Sequence, residues 1–457
     1  MEFDIAVNGD LVLPSDVVQD GWLAVRDGKI AGVFGPGQRP AAGRVIDARG
    51  KFVLPGAIDA HVHAFSNSTH VEGFGGLTRA AAAGGVTTVI DMPYDSPEPV
   101  TTAELFRKKA EKIQRDAVVD VALYGTVAKH GGWEQVEPLA AAGACAFKMS
   151  TYETDPRRFP EIPDGELIQA FREIRGTGRV AAFHAENGAI IDPLIQRLRP
   201  EGRVNPEAHC DSRPPEAEST AVAKLLELAR AHPVRLHIAH LTVPFAFDLI
   251  QWYRARGVDV TAETCIQYLV LVQSDLSRLK AFAKCNPPLR TEAVREQLWE
   301  KLLAGQIDFV TSDHAPWPLE AKQHENIFDN ASGFPGVQTL LPLLFSEGVV
   351  RRGMDVRLLA RLLAANPARR FGLYPRKGAL LPGADADFTV VDPGARWTFS
   401  AAEAFSVAKW SPYDGMELQG RVDLTVVRGE PVFENGAIVR EAGHGRFVAP
   451  QTPGGER

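Results

Sequence analysis

The chain has 457 residues, 45% of them apolar and 23% charged, a balance normal for a globular protein and enough for one large core with a smaller companion. A formal charge of −7 with no basic run argues against nucleic acid or an anionic membrane as the main partner. No apolar run approaches membrane-spanning length and no leader pattern opens the chain, so a cytoplasmic protein is expected. Cys145, Cys210, Cys265 and Cys285 lack paired spacing and fit reduced thiols there better than a disulfide framework or a Cys-only zinc site.

From residue 3 to about 53 the chain reads as short strands split by turns, at 4–13, at 21–26 before Asp27-Gly28, and at 29–34. The same character returns at 386–391 and 421–429, so both ends are expected to form one small sheet domain. Between them, apolar strands at 87–91, 118–124, 144–148, 180–184, 234–240, 258–264 and 309–313 alternate with helical periodicity at 76–83, 102–115, 164–175, 216–231, 244–256 and 292–303. With the run that ends at His61 this makes eight strands and predicts an α/β fold, a parallel (β/α)8 TIM barrel. Chemistry in such barrels gathers at the C-terminal strand ends. The Pro/Gly-rich tail after Ala449 is expected to fray.

The unusual polar residues fall at those strand ends. His61 and His63 alternate out of one strand and point the same way, so they can share an ion through imidazole nitrogen; an ordinary polar strand end is the plainer alternative. Asp59 in front of them strengthens the metal reading. Lys148 closes the run Ala144-Cys145-Ala146-Phe147, where an ammonium must snorkel, pair or be modified. Beside metal-binding residues, a lysine held neutral can add carbon dioxide and bridge two cations as a carbamate. His184 ends the fifth strand and His240 the sixth. Either alone could be a hydrogen-bonded structural histidine, but their shared placement points to one site. His237 is out of register with His240 and is expected to point off the site. Asp313 ends the eighth strand, where a carboxylate can ligate a metal and accept a proton, or cap a helix. His314 follows it and could hydrogen-bond substrate.

Together His61, His63, Lys148, His184, His240 and Asp313 suit two borderline divalent ions such as Zn2+, about 3.5–4 Å apart. A hydroxide held between them would attack a carbonyl polarised by the same metals. Asp313 would accept its proton and return it to the departing nitrogen.

These residues sit in motifs that resemble the cyclic amidohydrolases, the group of hydantoinase, dihydropyrimidinase, allantoinase and dihydroorotase. The resemblance runs nearly end to end. It includes Pro55-Gly56-x-x-Asp59-x-His61-x-His63, Phe147-Lys148, His184-Ala185-Glu186-Asn187 and His240-Leu241-Thr242, and continues through 262–269, 284–290 and Ser312-Asp313-His314. It implies a binuclear metal barrel over 54–374, flanked by a β-sandwich from 1–53 and 375–457 and assembled as a homotetramer. It also implies a carbamylated Lys148 as bridge, with His61, His63 and Asp313 on one ion and His184 and His240 on the other. Zn2+ is the expected metal, with Co2+ or Mn2+ able to replace it.

Departures within the group narrow the substrate. Dihydroorotases typically carry an arginine soon after His-x-His to hold a carboxylate; Ala64-Phe65 stands here, despite the dihydroorotase-like Asn286-Pro287-Pro288 and Gly333-Phe334-Pro335-Gly336. D-selective hydantoinases and dihydropyrimidinases carry an oxyanion-holding tyrosine five residues after the lysine, where this chain has Glu153, with Tyr152 one residue early. Allantoinases and L-selective hydantoinases lack that tyrosine, and the region from Lys409-Trp410-Ser411 to Gly445-Arg446-Phe447 is similar to theirs. The expected reaction is therefore hydrolysis of the cyclic amide bond of a five-membered ureide, allantoin or a 5-substituted hydantoin. Dihydropyrimidinase or dihydroorotase activity is the alternative. Asn286, Tyr152 and His314 are expected substrate contacts, and the loops at 65–74 and 152–163 are expected to set specificity. Two other classes compete: a non-catalytic assembly protein of the same fold, disfavoured by six retained ligand positions, and a mononuclear deaminase, which needs no bridging lysine.

Overall fold

The computed structural model describes residues 2–66 and 71–451, so part of one expected specificity loop, residues 67–70, and the tail from 452 lie outside the described residues. Four strands open the chain: β1 (Phe3–Val12), β2 (Val17–Arg26), β3 (Lys29–Phe34) and β4 (Ala42–Pro55). Eight follow in alternation with helices: β5 (Ala57–Val62), β6 (Val86–Asp91), β7 (Asp120–Gly125), β8 (Ala146–Ser150), β9 (Val180–His184), β10 (Arg235–Ile238), β11 (Val260–Cys265) and β12 (Phe309–Thr311). The chain closes with β13 (Phe388–Thr398), β14 (Glu417–Val427), β15 (Glu430–Glu434) and β16 (Ala437–Ile438).

Strands from both ends share one sheet, in the order β16-β15-β14-β13-β4-β1-β2-β3. The two ends meet at β4, which pairs parallel with β1 and antiparallel with β13, Val53 lying opposite Val390. The Asp27-Gly28 turn between β2 and β3 has both residues at positive φ, 52° and 71°, the backbone that a tight hairpin with native twist requires. Val7, Leu23, Val53, Phe388 and Val426 form this sheet's own core.

The second sheet runs β5 to β12 in order, every neighbouring pair parallel. A parallel bridge between Val62 and His314, with the His63 N–H donating to His314 O at 2.9 Å, closes it into a barrel. Every residue of β5 to β9 is buried, as expected for parallel strands covered on both faces. Ile58, Ile90, Tyr124, Ala182 and Phe309 belong to one packed cluster of strand residues, so the barrel is a core and not a pore.

Helices at Gly73–Ala83, Ala103–Asp116, Asp164–Thr177, Pro215–Ala231, Pro244–Arg254 and Glu292–Leu303 stand where the apolar periodicity places them. Val136–Ala142 and Gly188–Leu198 escape that reading. The first buries only Val136 and Leu139, and the second carries Pro193 inside.

A buried ion cluster ties β7 to the terminal sheet. Lys377 Nζ lies 2.5 Å from Asp120, 2.6 Å from Asp387 and 2.9 Å from Asp385, and Arg428 pairs with Asp120 from the other side. These carboxylates cluster closely enough to hold a cation, but the lysine already fills that role.

Candidate active site

Each strand end delivers its side chain differently. His61 lies inside β5 and His63 just beyond it. Lys148 is the third residue of β8, which runs on to Ser150 instead of ending at the lysine. His184 closes β9. His240 and Asp313 stand two residues past β10 and β12, with their backbones in the left-handed region at φ 39° and 48°. Such conformations cost a non-glycine residue on the order of 1–3 kcal/mol and persist where the surroundings impose them. All six side chains line one solvent-open cleft at the C-terminal mouth of the barrel.

Two groups of donors converge in that cleft. His61 Nε2 and His63 Nε2 each lie 3.3 Å from Asp313 Oδ1. His184 Nδ1 and His240 Nε2 face one another at 3.0 Å. Lys148 Nζ sits beside the first group, 3.5 Å from His61 Nε2, and no carboxylate among the described residues pairs with it.

Carboxylates behind the rings decide which nitrogen faces inward. Glu263 Oε1 accepts from His61 Nδ1–H at 2.6 Å, and Glu186 Oε2 accepts from His184 Nε2–H at 2.7 Å. The lone pairs of His61 Nε2 and His184 Nδ1 are thereby turned into the cleft. Burial pushes the His61 ring down to about 4 and holds His240 well below its ordinary value, so both are neutral at pH 7. The His61 Nε2 lone pair is aimed at the Asp313 carboxylate with no proton between them, an arrangement that a cation would relieve. The buried His240 Nδ1, without a partner among the described residues, belongs to the same arrangement. His61, His63 and Asp313 offer ligand atoms all within 4.8 Å of one another, and N/O donors of this kind suit a borderline divalent ion.

The remaining expected residues separate. Asn286 lines the cleft, and its buried Oδ1 has no partner among the described residues. Tyr152 does not join it. Ser150 Oγ bends the chain by bonding both the N–H and the carbonyl of Tyr152, and the ring packs on Gly188 and under Arg213, 4.7 Å from the guanidinium carbon. His314 is also diverted. Its Nε2 donates to Glu72 at 2.6 Å and its Nδ1 accepts the Gly336 N–H at 3.0 Å, which leaves no nitrogen for a ligand. Asp59 accepts from the Ser312 hydroxyl and backbone and helps close the barrel; burial raises its carboxyl to about 7. His237 does not line the cleft; its ring lies one layer down in the barrel, held between Thr261 and Glu263.

Other residues complete the site without a sequence pattern to announce them. Arg213 braces Glu186 behind His184. Tyr94, Arg158, Phe159 and Trp317 form the outer wall. Trp410, from the C-terminal segment, donates to Trp317 O at 2.9 Å and so couples that segment to the wall.

Residues 52–432 match the model of the amidohydrolase family. An allantoinase of Rubrobacter xylanophilus is 41% identical over 100% of this chain and 99% of its own length. An L-hydantoinase of Paenarthrobacter aurescens is 34% identical over 98% of each. The solved L-hydantoinase (dihydropyrimidinase) from Arthrobacter aurescens superposes with a TM-score of 0.94 at 34% identity, covering 98% of this chain and 100% of that one. With most of its length inside the family model and curated relatives matched end to end, the chain belongs to the amidohydrolase family.

Proposed function

We propose that this protein hydrolyses the cyclic amide bond of a five-membered ureide ring, allantoin or a 5-substituted hydantoin, using a centre of two divalent metal ions. The observation that carries this reading is the convergence of His61, His63, Lys148, His184, His240 and Asp313 in one cleft. Relatives named allantoinase and L-hydantoinase support the ring class. His61, His63 and Asp313 would hold one ion and His184 and His240 the other, with Zn2+ best suited to the donors. When bound, such ions polarise a carbonyl and make water nucleophilic near neutral pH.

The chain's own residues supply the rest. Burial pushes the Lys148 ammonium down to about 8, so a neutral amine is accessible to add carbon dioxide, losing a proton, and become the bridging carbamate. Asp313 handles the proton. Burial would raise its carboxyl, but in the acid range where it titrates the His61 imidazolium and a hydrogen bond from His63 hold it below its ordinary value, so it begins ionised at neutral pH. It takes a proton as water oxygen bonds to the ring carbonyl carbon, and gives it to the ring nitrogen as the C–N bond breaks. The products are a carboxylic acid, which ionises, and an N–H. Asn286 Oδ1, which lines the cleft without a partner among the described residues, would accept from a ring N–H.

Residues 54–374 would then form the catalytic domain, with 1–53 and 375–457 as its companion. A homotetramer is consistent with Phe245 and Trp252, exposed at 59% and 50% on one helix. Four buried, unpaired cysteines suit a cytoplasmic location, and no described helix is long and apolar enough to cross a membrane.

The test is a panel of allantoin, hydantoin, 5-substituted hydantoins of both hands, dihydrouracil and dihydroorotate with metal-loaded protein. A five-membered ureide should lead in kcat/KM by at least about tenfold. A lead by dihydrouracil or dihydroorotate would replace the proposal.

A further inference from the structure

No arginine follows His61-Val62-His63; Ala64-Phe65 stands there instead. The fold brings a guanidinium into the cleft by another route. Residues 155–159 turn back on themselves, with the Phe159 N–H donating to Asp155 O at 2.9 Å and Asp155 Oδ1 accepting the N–H groups of Arg157 and Arg158 at 2.9 and 2.8 Å. This turn sets Arg158 and Phe159 side by side in the cleft wall. Arg158 Nη1 donates to Ser66 O at 3.0 Å and to Tyr94 O at 3.1 Å. Phe159 stacks on Tyr94 with ring centroids 3.8 Å apart and meets the His184 ring edge-on at 5.6 Å.

Both protons of Nη1 are therefore engaged. Nε and Nη2, the side-on edge of the guanidinium, have no hydrogen-bond partner among the described residues. A ligand in the cleft would meet two donors in fixed planar geometry beside an aromatic stack. An alkyl group against that edge would leave the donors unpaired, the penalty by which polar sites reject analogues lacking the matching group. A planar carbonyl would pair with the edge and lie along the rings.

Resting on the cyclic-ureide reading above, we infer that Arg158 determines specificity by binding a carbonyl acceptor on the ring substituent, so that the site favours the ureido group of allantoin over a 5-alkyl hydantoin. A carboxylate offers the same acceptor chemistry. Burial outweighs the nearby Asp155 and Asp95 carboxylates at the Arg158 guanidinium, so ureido carbonyl and carboxylate are told apart by comparison with hydantoin-5-acetate.

The test compares zinc-loaded wild type, Arg158→Met and Arg158→Lys on allantoin, 5-methylhydantoin and hydantoin-5-acetate. The ratio of kcat/KM for allantoin to that for 5-methylhydantoin should fall at least about tenfold in Arg158→Met. Arg158→Lys, which keeps the charge and loses the planar fork, should fall in between. Equal losses on both substrates would mean that Arg158 merely ties down Ser66 and Tyr94, and would overturn the inference. If Arg158→Met fails to fold, the same ratio in Arg158→Lys decides. A wild-type preference for hydantoin-5-acetate that disappears in the variants would assign the edge to a carboxylate and overturn the ureido assignment. No ring opening of any of the three by wild type would sink the cyclic-ureide reading itself, an outcome distinct from equal losses.

Discussion

His61 Nδ1 donates to Glu263 Oε1 across 2.6 Å, and the same carboxylate takes His237 Nε2–H on its other oxygen at 3.2 Å. Glu263 thereby fixes the His61 ring with its Nε2 lone pair toward Lys148 and Asp313. Glu263→Gln presents an amide that can turn its N–H₂ toward His61 and reverse the tautomer. Metal affinity should drop by about 10–100-fold, measured by competition with a chromophoric chelator. Unchanged affinity would show that ring orientation is set elsewhere.

Lys148 is 1% exposed and has no acidic partner among the described residues, so its amine is available for modification. Lys148→Ala should abolish turnover, and formate or acetate should restore part of it by filling the vacated bridge. Full activity with one metal per chain would instead favour a mononuclear centre and remove the carbamate from the mechanism.

The strands and their metal-type residues are legible in the sequence because parallel barrel strands are short unbroken apolar runs, and a histidine or lysine at the end of one has few other uses. His61 and His63 add the two-residue alternation of a strand. His237, three residues before His240, stays out of the cleft as its register implies, though β10 ends at Ile238 and His240 departs at φ 39°, so the strand alternation does not itself run on to His240. Glu263 did leave a signal as the one charged residue of β11, Val260–Cys265. Arg158 and Phe159 fall within the loop 152–163 expected to set specificity, but nothing in the sequence singles them out there. A tight turn carries them to the cleft, and no periodicity marks a turn's side chains. Tyr152 and His314 show the converse, since adjacency in sequence to Lys148 and Asp313 does not survive the bend at Ser150 or the capture of the imidazole by Glu72.

Asp313 Oδ1 stands equidistant from His61 and His63, which leaves its second oxygen for a proton. Asp313→Asn keeps the shape and one oxygen donor but cannot hold that proton at neutral pH. We expect metal content within about twofold of wild type and kcat reduced by roughly 10²–10⁴-fold. Metal analysis beside steady-state kinetics separates the two effects, and a kcat near wild type would exclude Asp313 as the proton carrier.

The Lys377 cluster should set the stability of the contact between barrel and terminal sheet. Its ammonium is buried, a condition that lowers its pKa, but Asp387, Asp120 and Asp385 outweigh burial and raise it above the ordinary 10.5. A base whose folded value is raised contributes stability that is complete below its unfolded value and is lost as pH climbs through the folded one. The contribution should therefore be constant across neutral pH and decline only above about 10.5. Lys377→Met leaves Asp120 with Arg428, Asp385 with Lys29 and Arg376, and the buried Asp387 carboxylate with no cation paired to it among the described residues, and should cost about 3–5 kcal/mol by denaturant unfolding at pH 7. Asp387, raised by burial, would take up a proton first in the variant, so part of that loss should be recovered as pH falls toward 5. A variant as stable as wild type at pH 7, or a loss that grows on acidification, would show that the cluster's charges are not what holds the two sheets together.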